Sequence, residues 1–288
     1  MTMGGNPFCG VQLLPDYHIH TPLCKHAEGN TVEYLAAARA LHLPEICFTD
    51  HAPAPDGYDR AHRMEAEEFE EYRRITDYVS LSSNPRVLFG IEADYYEGCE
   101  AYLKEWLPRQ GFDMVLGSVH FIGGWGFDDP EQKGRWKSVD VKVAWKEYFA
   151  LLSRLVTSGL FDVVAHLDLP KKFGHRLSDK DMAEAACPVL DLISGKGMGI
   201  ELNTGGLRKP VKEIYPSALI LSLARERNIP VCFGSDAHSP SEVGYGFASA
   251  LELARSVGYS ECLVMRARSK SMIPLPPSNN IHPHLSPV

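Results

Sequence analysis

Short apolar runs rich in β-branched and aromatic residues recur along the chain. Each is followed by a longer stretch whose apolar positions return every three or four residues. The first kind of run fits a buried strand and the second an amphipathic helix. Read this way, Val11–His20 precedes a helix at Thr31–Leu43, Glu45–His51 precedes Ala66–Leu81, and Arg86–Tyr95 precedes Glu100–Gln110. Met114–Phe121 precedes Val141–Ser158, Phe161–Leu169 precedes Ser178–Lys196, Gly199–Thr204 precedes Pro216–Asn228, and Pro230–Ser235 precedes Ser241–Val257. A last, weaker strand is expected within Glu261–Ala267. Asn30 or Thr31 can cap the first helix, and Ser178 stands before Asp179 and Asp181, acids suited to a helix start. Seven or eight such units predict a parallel sheet with helices outside it. In one domain they predict a closed barrel, with an open doubly wound sheet as the alternative. Residues 122–140 read as a long functional loop. The domain is expected to span 1–272, and 273–288, with five prolines, to be an irregular tail.

Composition narrows the class. The 288 residues are 44% hydrophobic and 23% charged, a globular balance. A net charge of −8 disfavours nucleic acid and anionic membranes as partners. No run approaches 18 apolar residues, and residues 1–14 lack a signal-peptide pattern. The seven cysteines are odd in number and form no CxxC, which suits a reducing compartment, so a cytoplasmic protein is expected. The oligomeric state is left open.

The 12 histidines carry more information. Active-site residues of parallel barrels project from the C-terminal ends of strands. There this chain places His18 and His20, Asp50 and His51, Glu92 and Asp94, His120, His166 and Asp168, Glu201 and Asn203, then Asp236 and His238. Strand side chains alternate faces, so His18-x-His20 and Asp236-x-His238 each aim a pair of groups one way. Asp16 shares the face of His18 and is expected to orient an imidazole. Asp50 is expected to point away from His51 and act as support. Glu201 and Asn203 share a face: one of them can enter the pocket, or Glu201 can pair with a buried base. Buried strands seldom end in so many ionisable groups without a partner, and a multinuclear metal centre is such a partner.

The ordered set DYHIH, CKH, TDH, GIEAD, GSVH, AHLD, ELN and GSDAH resembles the PHP (polymerase and histidinol phosphatase) superfamily. The longer wording HIHTPLCKHAEG, GIEADYYEG, AHLDLPKKFG and IELNTGGLRK is similar to its histidinol-phosphatase branch. The resemblance implies a distorted (β/α)7 TIM-like barrel holding up to three divalent transition metals, zinc, iron or manganese. By the same resemblance, His18, His20 and Asp236 hold one metal, and Glu92 bridges it to a second held by His120 and His166. His26, His51 and His238 hold the third. The reaction implied is hydrolysis of a small phosphate ester, L-histidinol phosphate above others, by a hydroxide bridging two metals. Glu92, Asp236 and Arg208 would then be catalytic, with Asp236 or a metal-bound water protonating the leaving group.

Arg208 is expected to clamp the phosphate through its planar fork. Lys171 stands where relatives tend to carry arginine. His62 and Arg63 are placed for a lid, and His175 and Arg176 for the pocket mouth. His42 suits a helix C-terminus. Other readings stay open: another phosphomonoester or nucleotide as substrate, a non-catalytic PHP module, or a metal-dependent deaminase or amidohydrolase.

Overall fold

The computed structural model describes residues 14–277. Seven strands form one sheet: β1 (Asp16–Ile19), β2 (Glu45–Phe48), β3 (Arg86–Asp94), β4 (Met114–Ser118), β7 (Val163–Val164), β8 (Gly199–Asn203) and β9 (Val231–Gly234). They lie in that order and pair in parallel throughout. A parallel bridge between Ile19 and Ala237 brings the two edges together. His20 N donates to Ala237 O at 2.9 Å and Ala237 N to His18 O at 3.2 Å. The sheet is thus a nearly closed seven-stranded barrel, as the alternation predicts.

The helices are α1 (Thr31–Ala40), α2 (Phe69–Ser80), α3 (Glu100–Trp106), α4 (Val141–Ser158), α5 (Asp179–Gly195), α6 (Ala218–Glu226) and α7 (Phe247–Ser256). Their starts follow the expected chemistry. Asn30 forms a capping box with Glu33, Asp140 accepts from Lys142 N and Val143 N, and Ser178 accepts from Asp181 N. The main core lies between helices and barrel. No helix of the described residues is long and apolar enough to cross a membrane.

The C-terminal segment holds the last strand expected within Glu261–Ala267 and departs from expectation at the start of the tail. β10 (Glu261–Arg266) does not join the barrel. It pairs antiparallel with β11 (Ser269–Pro274), so Ile273 and Pro274 are strand rather than tail. Residues 278–288, with His282 and His284, lie outside the described residues, as does Cys9. Leu263 and Met265 of β10 pack with Tyr17, Cys47, Leu88, Met114, Val163 and Cys232, the inward residues of the barrel strands. The hairpin therefore plugs the end of the barrel opposite the strand C-termini. Arg268 pairs with Asp162 at 3.0 Å, and Ala267 N and Arg268 N donate to Asp113.

The 122–140 segment is not structureless. β5 (Phe121–Ile122) and β6 (Trp125–Gly126) form a small hairpin, and Trp136 is buried with its Nε1 donating to Phe127 O at 2.8 Å. The six cysteines among the described residues are free thiols.

Candidate metal centre

The strand C-termini converge on Glu92, which is 1% exposed on β3. Its two oxygens face different histidines. Oε1 is 2.9 Å from His166 Nε2 and 3.7 Å from His120 Nε2. Oε2 is 3.2 Å from His18 Nε2, 3.5 Å from His20 Nε2 and 3.1 Å from His51 Nδ1. Asp236 Oδ1 approaches the second set, 3.3 Å from His20 Nε2 and 3.8 Å from His18 Nε2. Farther out, His26 Nε2 and His238 Nε2 meet at 2.9 Å beside His51. The nine expected ligands thus form one continuous cluster.

The donor set fits divalent cations, on three grounds. First, a metal-ligating imidazole usually donates its other N–H to an acceptor. His18 Nδ1 donates to Glu201 at 2.7 Å, His120 Nδ1 to Asp94 at 3.0 Å, His26 Nδ1 to Cys24 O at 2.7 Å and His238 Nδ1 to Asp236 O at 3.0 Å. In all four rings Nε2 is the atom turned to the cluster. Second, the His26–His238 pair brings two Nε2 atoms head to head, where a shared cation satisfies both lone pairs. Third, both nitrogens of buried His20 lack a hydrogen bond, as does Nδ1 of His51. Imidazole and carboxylate together suit divalent transition metals.

The electrostatics agree. Burial alone would lower His18, but Glu201, Glu92 and Asp236 carry it well above the ordinary histidine value. Burial likewise opposes His20, which Asp236 and Asp50 raise well above that value. Asp94 lifts His120, against burial, to about 10. Burial, with His20 beside them, drives His238 well below the ordinary value and His26 down to about 4. Burial also lowers His51, with His20 and His120 adding to it. Burial would raise Glu92 and Asp236, but the surrounding imidazoles hold both well below the carboxylate range.

The groups behind the cluster differ partly from expectation. Asp16 does not orient an imidazole. β1 changes register between Asp16 and Ile19, and the carboxylate accepts from Ser235 N, Ser235 Oγ and Gly244 N. The acceptor behind His18 is Glu201, whose other oxygen takes Asn203 Nδ2 at 3.0 Å and His166 N at 3.0 Å. Asn203 also donates to Asp236 Oδ2 at 3.2 Å. Asp50 supports, as expected: it accepts from Thr21 N and His51 N and lies 3.5 Å from His20 Nδ1. Asp168 is tied to Lys171 and Ser217 N and takes no part in the cluster. Cys24 carries no signal in the sequence: its buried thiol lies within 4.8 Å of a ring nitrogen of both His20 and His238.

A cavity of about 440 Å³ opens over the cluster. Of the expected substrate contacts only His62 lines it, with Nδ1 donating to Asp59 at 2.8 Å. Arg208 instead donates through Nη2 to Ser235 O and Asp236 O, both at 2.9 Å, and its Nε pairs with Glu242 at 2.9 Å. Asp236 stands at φ 55°, a strained conformation for a residue other than glycine, and Arg208 fixes that turn. Lys171 is buried among Asp168, Glu213 and Ile214 O. Arg63 is 2% exposed and bridges Asp94, Asp59 and Ala52 O. Arg176 pairs with Glu213 at 2.8 Å, and His175 stacks on Trp136. These long cations are therefore engaged as structural ties. The cavity's own cations are Lys172 and Lys209, and the 122–140 segment adds Asp128, Asp129 and Glu131.

Comparison with known proteins shows the family to which the chain belongs. Residues 16–205 match the PHP domain and residues 218–252 a PHP-associated segment. A protein of Deinococcus radiodurans named "Probable histidinol-phosphatase" is 44% identical over 247 residues, covering 85% of this chain and 94% of its own. The histidinol-phosphatase of Bacillus subtilis is 29% identical over 265 residues, covering 82% of this chain and 98% of its own. The solved structure of histidinol phosphate phosphatase from Lactococcus lactis, in complex with zinc, L-histidinol and phosphate, matches with a TM-score of 0.74. At 19% identity over 90% of this chain and 98% of that one, that likeness is one of fold.

Proposed function

This chain belongs to the PHP domain family, and from that premise we propose that it is a metal-dependent histidinol phosphatase, hydrolysing L-histidinol phosphate to L-histidinol and phosphate. One observation carries the reading: the two oxygens of Glu92 divide between separate sets of imidazoles, as a carboxylate shared by two cations must. His18, His20 and Asp236 would hold one cation, His120 and His166 a second, and His26, His51 and His238 a third. Zinc, iron or manganese would suit this set. When bound, such cations lower the pKa of water and neutralise phosphoryl charge.

The chain's own residues supply the rest. Glu201, Asp94 and the backbone carbonyls of Cys24 and Asp236 hold four imidazoles in one tautomer. Arg208 fixes the turn that aims Asp236 at the cluster. The cavity wall carries both signs of charge. Lys209 suits the anionic end of a small ester, Lys172 being paired with Asp128 at 3.0 Å, and Asp129 and Glu131 suit a cationic amine or imidazole. No serine or cysteine nucleophile is needed, because water attacks phosphorus directly.

The test compares chelated and metal-reconstituted protein on L-histidinol phosphate and on a generic phosphate ester. Chelated protein is inactive, and Glu92→Gln lowers kcat by roughly a hundredfold or more. Full activity after chelation overturns the mechanism. Equal kcat/KM on the two esters overturns the substrate assignment.

A further inference from the structure

One wall of the cavity carries a hydrogen-bond donor without an acceptor. Tyr215 is 1% exposed, its hydroxyl has no hydrogen-bond partner, and it lines the cavity. The residue is held in place. Its backbone pairs with Asn203 through two hydrogen bonds of 2.7 and 2.9 Å. The hydroxyl end of the ring lies close on Gly206, where an added Cβ would come within 2.8 Å of Tyr215 Cε2 and 2.0 Å of Glu213 O, and Lys171 Nζ stands 5.2 Å over the ring. A buried polar group kept fixed without a partner is costly to the folded chain. Burial, then Asp168, push the phenol well above its ordinary value, so it keeps its proton and can donate.

Lys209 lines the same cavity and has no ion-pair partner among the described residues. Its backbone N donates to Gly206 O at 3.1 Å, which anchors it to the glycine turn under Tyr215. The other cations expected to reach phosphate are engaged elsewhere: Arg208 on backbone carbonyls, Lys171 on Asp168 and Glu213. A neutral phenol and a free ammonium, both donors, suit an anion rich in acceptor oxygens.

We propose that Tyr215 and Lys209 are the protein's own half of the phosphoryl site, donating to phosphate oxygens from the wall that faces the metal ligands. This rests on the cavity being a phosphoesterase site, and deepens that reading. Arg208 is then a positioning residue for Asp236, and the residue beside it in sequence takes the contact with substrate.

The test uses metal-reconstituted full chain with inorganic phosphate as the probe, followed by titration calorimetry. Tyr215→Phe and Lys209→Met each weaken phosphate binding roughly ten- to a hundredfold with metal content unchanged, and Lys209→Arg restores most of the loss. Metal-free Tyr215→Phe melts at or above the wild-type temperature, because the deleted hydroxyl had no partner; a hydroxyl with a structural role would lower it. Wild-type phosphate affinity in both variants overturns the proposal, whatever ester the protein hydrolyses. A lowered melting temperature in Tyr215→Phe overturns the part played by the phenol. If the wild type binds phosphate, and both variants weaken it, yet L-histidinol phosphate is not hydrolysed, the clamp stands and only the substrate assignment fails.

Discussion

Replacing Arg63 separates a structural cation from a substrate contact. Its position between β2 and α2 suits a lid residue that meets phosphate, but the folded chain buries it. The guanidinium lies 3.0 Å from Asp94 and 3.2 Å from Asp59, donates to Ala52 O at 3.0 Å, and stands 4.8 Å over the ring of Tyr58. Asp94 is fully buried and holds Nδ1 of His120. In Arg63→Met, Asp94 keeps its charge and loses its permanent cation, leaving Tyr58, Ser118 and His120 as partners. Breaking a buried pair from one side costs about 3–5 kcal/mol. At roughly 2–4 °C per kcal/mol for a domain of this size class, the melting temperature falls by about 6–20 °C. Salt barely changes the loss, since a buried pair is little screened. Calorimetry on chelated protein measures the fall, and kinetics at saturating metal measure the site. KM for the phosphate ester stays within about threefold of wild type if Arg63 does not touch substrate. A melting temperature within about 2 °C of wild type, together with a large rise in KM, would refute the burial argument and restore Arg63 to the pocket.

Three further outcomes follow from the geometry. Metal binding removes protons from His18, His20 and His120, which the metal-free chain holds charged at neutral pH, His120 up to about 10. Affinity at those positions therefore rises between pH 6 and 8, by about tenfold per unit for each proton displaced. His26, His51 and His238 are already neutral there, so the third position shows a flat profile until the pH nears 4; calorimetry in buffers of different ionisation enthalpy resolves the two behaviours. Gly234→Ala places a Cβ 2.0 Å from Glu201 Oε1 and 2.7 Å from His18 Cβ, so it costs roughly 1–3 kcal/mol and displaces His18; metal content and kcat, measured together, should both fall. Leu263→Ala empties part of the barrel plug and costs about 2–5 kcal/mol in denaturant unfolding, with kcat unchanged because the hairpin lies at the opposite end from the cluster.

The barrel and eight of the nine residues of the cluster are legible from the strands and their ends, a periodic signal, whereas His26, in the loop before α1, is placed by the resemblance alone. Parallel strands buried on both sides leave continuous apolar runs, and each run here ends in an ionisable residue that a folded chain keeps only with a partner. The last strand, Glu261–Arg266, is legible as an apolar run, but such a run carries no mark of its direction or partner, so its antiparallel pairing with Ser269–Pro274 is not. Asp16 departs from its expected role because the irregular register of β1 breaks the two-residue alternation. By sequence alone Arg63, Lys171 and Arg208 suit substrate contacts, because loop cations carry no period. Whether such a side chain meets a ligand or a buried carboxylate depends on residues distant in sequence. Asp94 and Glu201 were visible as strand-end acids, but only the fold shows that each stands behind a different histidine. Tyr215 leaves a fainter trace, an aromatic beyond the glycine pair of the GGLRK turn, and nothing local distinguishes it from core.

The junction of Ile19 with Ala237 bears on how the molecule comes into being. Ser235 binds Asp16 across 219 residues, and His238 meets His26 across 212. No early portion of a growing polypeptide can assemble the proposed first or third set of ligands, since Asp236 and His238 are made only after all seven barrel strands. Contacts so remote in sequence form late and slowly. Metal capture then acts as a final latch, closing the ring where its oldest and newest segments touch. An incomplete chain holds scattered imidazoles and no catalyst, so hydrolytic activity during synthesis should switch on in one step and report the closing of the ring.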